Sequence, residues 1–344
     1  MPGERRQEEE ERVHTRKLGP FTVSAIGMGC MSLSHAYGTP PDPSIGAQVL
    51  RRGLELGYTM LDTAALYGFG ANETLIGETL GHRRHEFVLA SKGGMFRDEQ
   101  GRRAIDGRPE VITSNCDESL QRLKTEVIDL YYLHRWDRKV PIEESVGAMA
   151  DLVRAGKVKT IGLSEVSAPT IRRAHAVHPL TAVQTEYSLW SRNAELAALD
   201  TCRELGIAFV AFSPLARGFL AGSLRDTSAL PPKDIRLNMP RFQGENFTKN
   251  LTLLGGVAAI ARDAGLTMAQ AVLAWVLNRG SHIVPIPGTT NLAHLEENAG
   301  AADLRLSADV MSRLDALVNP QTVSGRRYND TVLAEVDTET LDHY

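Results

Sequence analysis

Eight short apolar runs, each followed by a stretch of helical period, limit what this chain can fold into. The runs are SAIGMG (24–29), YTMLD (58–62), EFVLAS (86–91), VIDLYYLH (127–134), VKTIGLS (158–164), TAVQTE (181–186), IAFVAFS (207–213) and HIVPIP (282–287). Between them lie DPSIGAQVLRRGLELG, SNCDESLQRLKTE, PIEESVGAMADLVRAGK and NAELAALDTCRELG, the last ending on a glycine suited to a helix C-cap. Strands that read as continuous apolar runs, each followed by a helix, predict a parallel sheet buried on both faces. Eight such units in 344 residues predict an α/β fold, a (β/α)8 TIM barrel, rather than an open doubly wound sheet. The doubly wound alternative fares poorly. The first run ends GMGCMS, which lacks the third glycine of GxGxxG, and no helix follows it at once.

Three segments depart from the repeat. TRKLGPFTVS (15–24) carries a Gly-Pro turn between two strand-like pieces and predicts an N-terminal β-hairpin closing the bottom of the barrel. Residues 93–109 and 222–250 follow the third and seventh strands as long polar loops, which at the C-terminal rim predicts lids over a site. The domain reading is a disordered tail at 1–14, a barrel at 15–320 and a C-terminal tail at 321–344.

Composition removes several function classes. A net charge of −4 gives no basic stripe for nucleic acid. No apolar run reaches the roughly 18 residues that span a membrane, and the N-terminus shows no secretory core. The three cysteines, Cys30, Cys116 and Cys202, are far apart and without CxxC spacing, which suits a reduced, cytoplasmic setting. No metal site is expected.

The strand ends carry the chemistry. The second run delivers Asp62 and then Tyr67, the third Lys92, the fourth His134, the fifth Ser164, the sixth Gln184 and Glu186, and the seventh Phe212 and Ser213. In a barrel these groups converge on one mouth. A phenol titrates near about 10, and a neighbouring ammonium lowers that value. A carboxylate would pair the ammonium, and an imidazole would hydrogen-bond a carbonyl oxygen as charge develops on it. Such a set protonates a carbonyl oxygen while something else attacks carbon. With no thiol–imidazole pair or GxSxG motif, a hydride cofactor is the natural complement.

At this point LDTAALYG, ASKGG, IDLYYLHRWD, IGLSE, QTEYSLW, FSPLARGFL and IPGTTNLAHLEENAG together resemble the aldo-keto reductase superfamily. The likeness is greatest to its perakine reductase-like and auxin-induced-protein-like branch, and runs from about residue 15 to 318. The resemblance implies a catalytic tetrad of Asp62, Tyr67, Lys92 and His134, with Tyr67 as general acid. It implies NADP(H) bound across the rim and contacted by Gly29, Cys30, Met31, Asp62, Ser164 and Gln184. Phe212 stands where the family stacks a tyrosine on the nicotinamide, and Glu165 where it usually has Asn. Ser213, Leu215, Arg217 and Gly218 match pyrophosphate contacts. Gly288, Thr290, Asn291, His294, Glu297 and Asn298 match the adenosine 2′-phosphate and adenine positions. Met31, Phe69, Phe96, Trp136 and Trp190 follow strand ends and are expected to line an apolar substrate pocket. The expected activity is NADPH-dependent, reversible reduction of a small aldehyde or ketone, in a chain that could form a homo-oligomer. The alternative is a cofactor-bearing regulatory subunit like those of potassium channels.

Overall fold

A computed structural model describes residues 14–98 and 100–341. The expected disordered tail therefore lies, but for His14, outside the described residues.

The hairpin forms as β1 (Thr15–Leu18) and β2 (Phe21–Ser24), paired antiparallel. Its turn turns at Gly19, at φ +57°, where an added Cβ would come within 2.7 Å of Thr181. Thr181 precedes a barrel strand, so the hairpin caps the N-terminal end. Leu18 and Val23 fill the barrel bottom with Met60, Ala90, Leu130, Val210 and Val284.

The barrel strands are β3 (Met28–Gly29), β4 (Met60–Asp62) and β5 (Val88–Gly93), in that spatial order. A rim hairpin, β6 (Met95–Arg97) and β7 (Arg103–Ile105), replaces the plain loop expected after the third strand. The barrel continues with β8 (Ile128–Leu133), β9 (Val158–Ser164), β10 (Ala182–Glu186), β11 (Ala208–Phe212) and β12 (Ile283–Ile286), all neighbours parallel. The backbone N–H groups of Gly27 and Gly29 donate to Pro285 and Pro287 at 2.9 and 3.1 Å and close β3 onto β12. This seam requires small residues, because a Cβ on Gly29 would lie 2.6 Å from the Ile286 carbonyl oxygen.

Six helices alternate with the first strands: α1 (Pro43–Glu55), α2 (Ala71–Leu80), α3 (Pro109–Leu123), α4 (Ile142–Arg154), α5 (Ala168–Val177) and α6 (Ala198–Leu205). Each turns its apolar stripe inward, as α4 does with Ile142, Val146, Met149 and Leu152. Two helices follow β11. The expected long loop is shorter than 222–250, because α7 (Gly244–Asp263) takes its last residues. It leads into α8 (Met268–Asn278), started by a Thr267/Gln270 capping box and buried along almost its whole length. The chain ends through α9 (Leu292–Ala299), α10 (Ala308–Leu317) and the single turn α11 (Asp330–Leu333).

After α10 the chain returns across the strand ends. The Asp337 N–H donates to the Glu165 carbonyl at 3.0 Å, and its carboxylate accepts from the hydroxyls of Thr170 and Ser167 at 2.7 and 2.9 Å. Arg327 forms a buried ion pair with Glu165. This segment roofs the mouth where the barrel strands deliver their polar residues.

Candidate active site

Asp62 is the last residue of β4, and the backbone then turns sharply back over the barrel. The turn is pinned to β5: the N–H groups of Thr63 and Ala65 donate to Ala90 and Lys92 at 2.9 and 3.1 Å. Tyr67 sits in a short helical turn whose exit runs through Phe69 at φ +51°, a conformation that a bulky residue adopts at a cost. The side chain of Asn72 holds that turn by donating to the Cys30 carbonyl at 2.8 Å and accepting from Thr63 at 2.7 Å.

The four tetrad residues come together at the floor of the mouth. The Lys92 ammonium, fully buried, bonds the Asp62 carboxylate and donates to the Thr63 carbonyl at 2.8 Å and the Tyr67 hydroxyl at 3.3 Å. Gln184 donates to the other Asp62 oxygen at 2.7 Å. His134 meets Tyr67 edge-on, with ring centroids 5.8 Å apart, and its Nδ1 is buried with no hydrogen-bond partner. His35 stacks on the other side of Tyr67 at 6.0 Å.

Burial sets the electrostatics. It works against the Lys92 ammonium, but Asp62 and Tyr67 outweigh it and hold the group above its ordinary value. Burial pushes the Tyr67 phenol up, and Lys92 offsets only part of that rise. Lys92 thus lowers the phenol as expected, but burial outweighs it and the phenol stands above its ordinary value. Burial, reinforced by Arg135 and Lys92, holds the His134 imidazole well below its usual range, so it is neutral at physiological pH.

A cavity of about 850 Å³ opens above these groups and extends along the rim. Gly29, Met31 and Asp62 line it at one wall, Ser164 and Gln184 at its base. Phe212, Ser213, Leu215, Arg217 and Gly218 follow β11 along it, and Gly288, Thr290, His294, Glu297 and Asn298 line its far arm. Ala216, Arg217 and Gly218 are three consecutive left-handed residues, at φ +51°, +58° and +85°. Strain of this kind persists where the surrounding structure over-determines it.

Several expected residues lie elsewhere. Cys30 does not line the cavity; its thiol is packed in the core, and burial pushes it up to about 12. The Asn291 side chain caps α9, accepting from the N–H groups of Ala293 and His294 at 2.8 and 3.3 Å, so it is spent on the helix end. The expected apolar pocket wall is corrected for four residues. Phe69 and Phe96 line a separate, smaller hollow on the rim hairpin's outer side. Trp190 is stacked on Phe219 at 4.6 Å in the core, and Trp136 donates to the Val140 carbonyl at 2.7 Å outside the cavity. The wall is instead made by Met31, Leu66, Met95, Tyr328 and Val332, with His35, Arg103 and Arg135. No sequence signal marked Tyr328 or Val332, which reach the mouth only because the C-terminal segment folds back. Glu165 also turns away from the cavity, at φ +57°, into its pair with Arg327.

A closed (β/α)8 barrel with Asp, Lys, Tyr and His joined at one mouth defines a class of carbonyl-handling oxidoreductase folds. The family model described as the aldo/keto reductase family matches residues 25–319. A probable aldo-keto reductase 1 from Glycine max is 44% identical over 324 residues, 93% of each chain. Among solved structures, a glycerol dehydrogenase from Gluconobacter oxydans is 26% identical, with a TM-score of 0.83 over 92% of this chain and 98% of that one. An aldo/keto reductase from Klebsiella pneumoniae, solved with NADP and acetate, is 28% identical, with a TM-score of 0.71 over 92% and 99%. The chain belongs to the aldo/keto reductase family.

Proposed function

We propose that the protein reduces aldehydes or ketones to alcohols with NADPH, reversibly, and that Asp62, Tyr67, Lys92 and His134 are its catalytic residues. Within the family we assign it to the perakine reductase-like and auxin-induced-protein-like branch, a reading supported by the shared motif set. The observation that carries the activity is the Lys92 ammonium bonded at once to Asp62, the Thr63 carbonyl and the Tyr67 hydroxyl beneath the cavity.

The residues present fit the cofactor. The cavity runs from Tyr67 to Thr290 and His294, and the buried Nε of Arg217 and Oγ of Ser32 have no hydrogen-bond partner. Phe212 offers a ring face, Ser164 and Gln184 offer groups for an amide, and Arg217 lies on the pyrophosphate stretch. Bound NADPH would supply a hydride to the carbonyl carbon.

The chain's own residues do the proton work. The Tyr67 phenol is protonated in the resting protein and gives its proton to the carbonyl oxygen as the oxygen gains charge. The phenolate left behind is stabilised by the ammonium of Lys92, which Asp62 and the Thr63 carbonyl hold in place. Neutral His134 donates a hydrogen bond from one ring nitrogen to the same oxygen, fixing its direction. The roof of Tyr328 and Val332 limits water at the reacting oxygen.

The test is NADPH oxidation, followed by absorbance, with a small panel of aldehydes. Turnover with activated aromatic and aliphatic aldehydes is expected. Cofactor binding without turnover of any of them would sink the reading and favour a cofactor-bearing regulatory subunit.

A further inference from the structure

Arg135 follows His134 on the rim and lines the same cavity as Tyr67. It is half-buried, and one guanidinium nitrogen donates to the His134 carbonyl at 2.7 Å and to the Ser164 hydroxyl at 3.2 Å. Among the described residues no carboxylate lies within ion-pair distance of it. That sets it apart from Arg84, Arg122, Arg217 and Arg327, each of which is paired with a carboxylate. The acids nearest the mouth are committed elsewhere. Asp62 holds Lys92 and Gln184, Glu186 holds Arg217, and Glu335 holds Arg103. With the Lys92 ammonium neutralised by Asp62, the partly desolvated guanidinium of Arg135 is left as a cation without a counter-ion beside the reaction centre.

We propose that the protein selects carbonyl substrates that carry a carboxylate, and that Arg135 is the residue that receives it. The inference rests on the carbonyl reductase reading above and names its substrate class. A planar guanidinium takes a carboxylate through two parallel N–H donors, and one terminal nitrogen of Arg135 already bonds protein, which leaves its other edge for the substrate. The rest of the substrate would lie against Met31, Leu66, Met95 and Val332, which offer apolar contact and no opposing charge. Arg103 lies on the same wall, but its ion pair with Glu335 of the C-terminal segment already neutralises it. Arg135 is therefore the specificity-determining cation, and the reacting carbonyl stays with Tyr67 and His134.

The experiment compares acids with their neutral methyl esters at saturating NADPH: 4-formylbenzoate with methyl 4-formylbenzoate, and 4-oxobutanoate with methyl 4-oxobutanoate. The two pairs differ in reach, and within each pair the main difference is charge. The expected result is a kcat/KM ratio of acid to ester on the order of ten- to a hundredfold in at least one pair, the range of a charge-assisted hydrogen bond. Arg135→Met should bring that ratio close to one, mainly through a higher KM for the acid. Arg135→Lys, which keeps the charge and loses the fork, should retain an intermediate ratio. Should Arg135→Met fail to fold, the wild-type ratio and its decline with added salt decide the matter. Ester turnover with ratios at or below one in both wild-type pairs overturns this inference and leaves the reductase reading standing. A ratio that Arg135→Met does not change overturns it too. No turnover of any of the four compounds overturns both.

Discussion

As the proposed proton donor, Tyr67 makes a signed prediction through its surroundings. Tyr67→Phe removes the proton donor and keeps the ring, so kcat should fall by about 10²–10⁴-fold while NADPH affinity is held. A mutant that reduces an activated aldehyde at the wild-type rate would take Tyr67 out of the reaction. The pH dependence follows from the same geometry. Burial lifts the phenol above its ordinary value of 10.0, and Lys92 only partly offsets this. Reduction uses the protonated form, which is present below the raised value and lost as pH rises through it. Reductive kcat/KM should therefore stay level from about pH 6 to about pH 9, whereas alcohol oxidation, which needs the phenolate, should climb across the same window. A tenfold loss of reductive kcat/KM before about pH 9 would contradict the raised phenol.

Elements of the rim decide how the cavity is reached. The loop after β11 is tied across the cleft to the loop after β3: the Ile235 N–H donates to the Ala36 carbonyl at 2.9 Å, and Tyr37 and Asp234 form an isolated antiparallel bridge. Asp234 is buried and holds Arg236 through two contacts, while Arg236 lies 5.0 Å from the Tyr37 ring. Residues 222–243 thus form a strap across the cleft, and the expected outcome is that it parts at this bridge when a dinucleotide enters. Limited proteolysis should cut this strap in the free protein, and NADPH should slow the cleavage. Asp234→Ala should speed both cleavage and NADPH release in stopped-flow fluorescence. Equal cleavage with and without NADPH would deny the strap its role. The eight strands were legible in the sequence because buried parallel strands read as unbroken apolar runs. The grouping of Asp62, Tyr67, Lys92 and His134 was legible because they lie at or just beyond the ends of consecutive barrel strands and match a known motif set. What escaped was whatever depends on chain direction after a strand or on distant pairing. Phe69 and Trp190 follow strand ends as Met31 does, but turns with left-handed residues or core stacking carry them out of the mouth. The rim hairpin β6–β7 is three residues per strand, too short for a periodic signal.

At the scale of the whole molecule, one buried charge cluster joins the barrel to its roof. Glu186, at the end of β10, accepts from Arg217 at 3.0 Å, from the Tyr328 hydroxyl at 2.8 Å and from Ser191 at 2.9 Å. Arg327 binds Glu165 beside it, so β9, β10, the β11 loop and the C-terminal segment meet in one network. Pairings such as Arg327–Glu165, 162 residues apart, leave no local trace in sequence, which is why residues 321–344 read as a mere tail. The network makes stability depend on acid. Burial alone would raise the Glu186 carboxyl, but Arg217, Arg327 and Arg241 together hold it down from 4.5 to about 2. A carboxylate depressed in the folded state contributes stability that is complete above its unfolded value. That contribution is lost as pH falls through the folded value, so the window runs from about pH 4.5 down to about pH 2. The difference corresponds to an order of about 3 kcal/mol. Glu186→Gln should melt lower than wild type at neutral pH, because it strands the buried Arg217, which Glu186 pairs, while Arg327 keeps Glu165. The gap in Tm between the two should then narrow as pH falls through the window, since the wild type alone has this carboxylate to protonate. Because the roof rests on the same cluster, cleavage within residues 319–341 should increase in the variant at neutral pH. A Tm gap that stays constant from about pH 6 to about pH 3 would mean that Glu186 does not titrate with folding and that the roof is held by its other contacts.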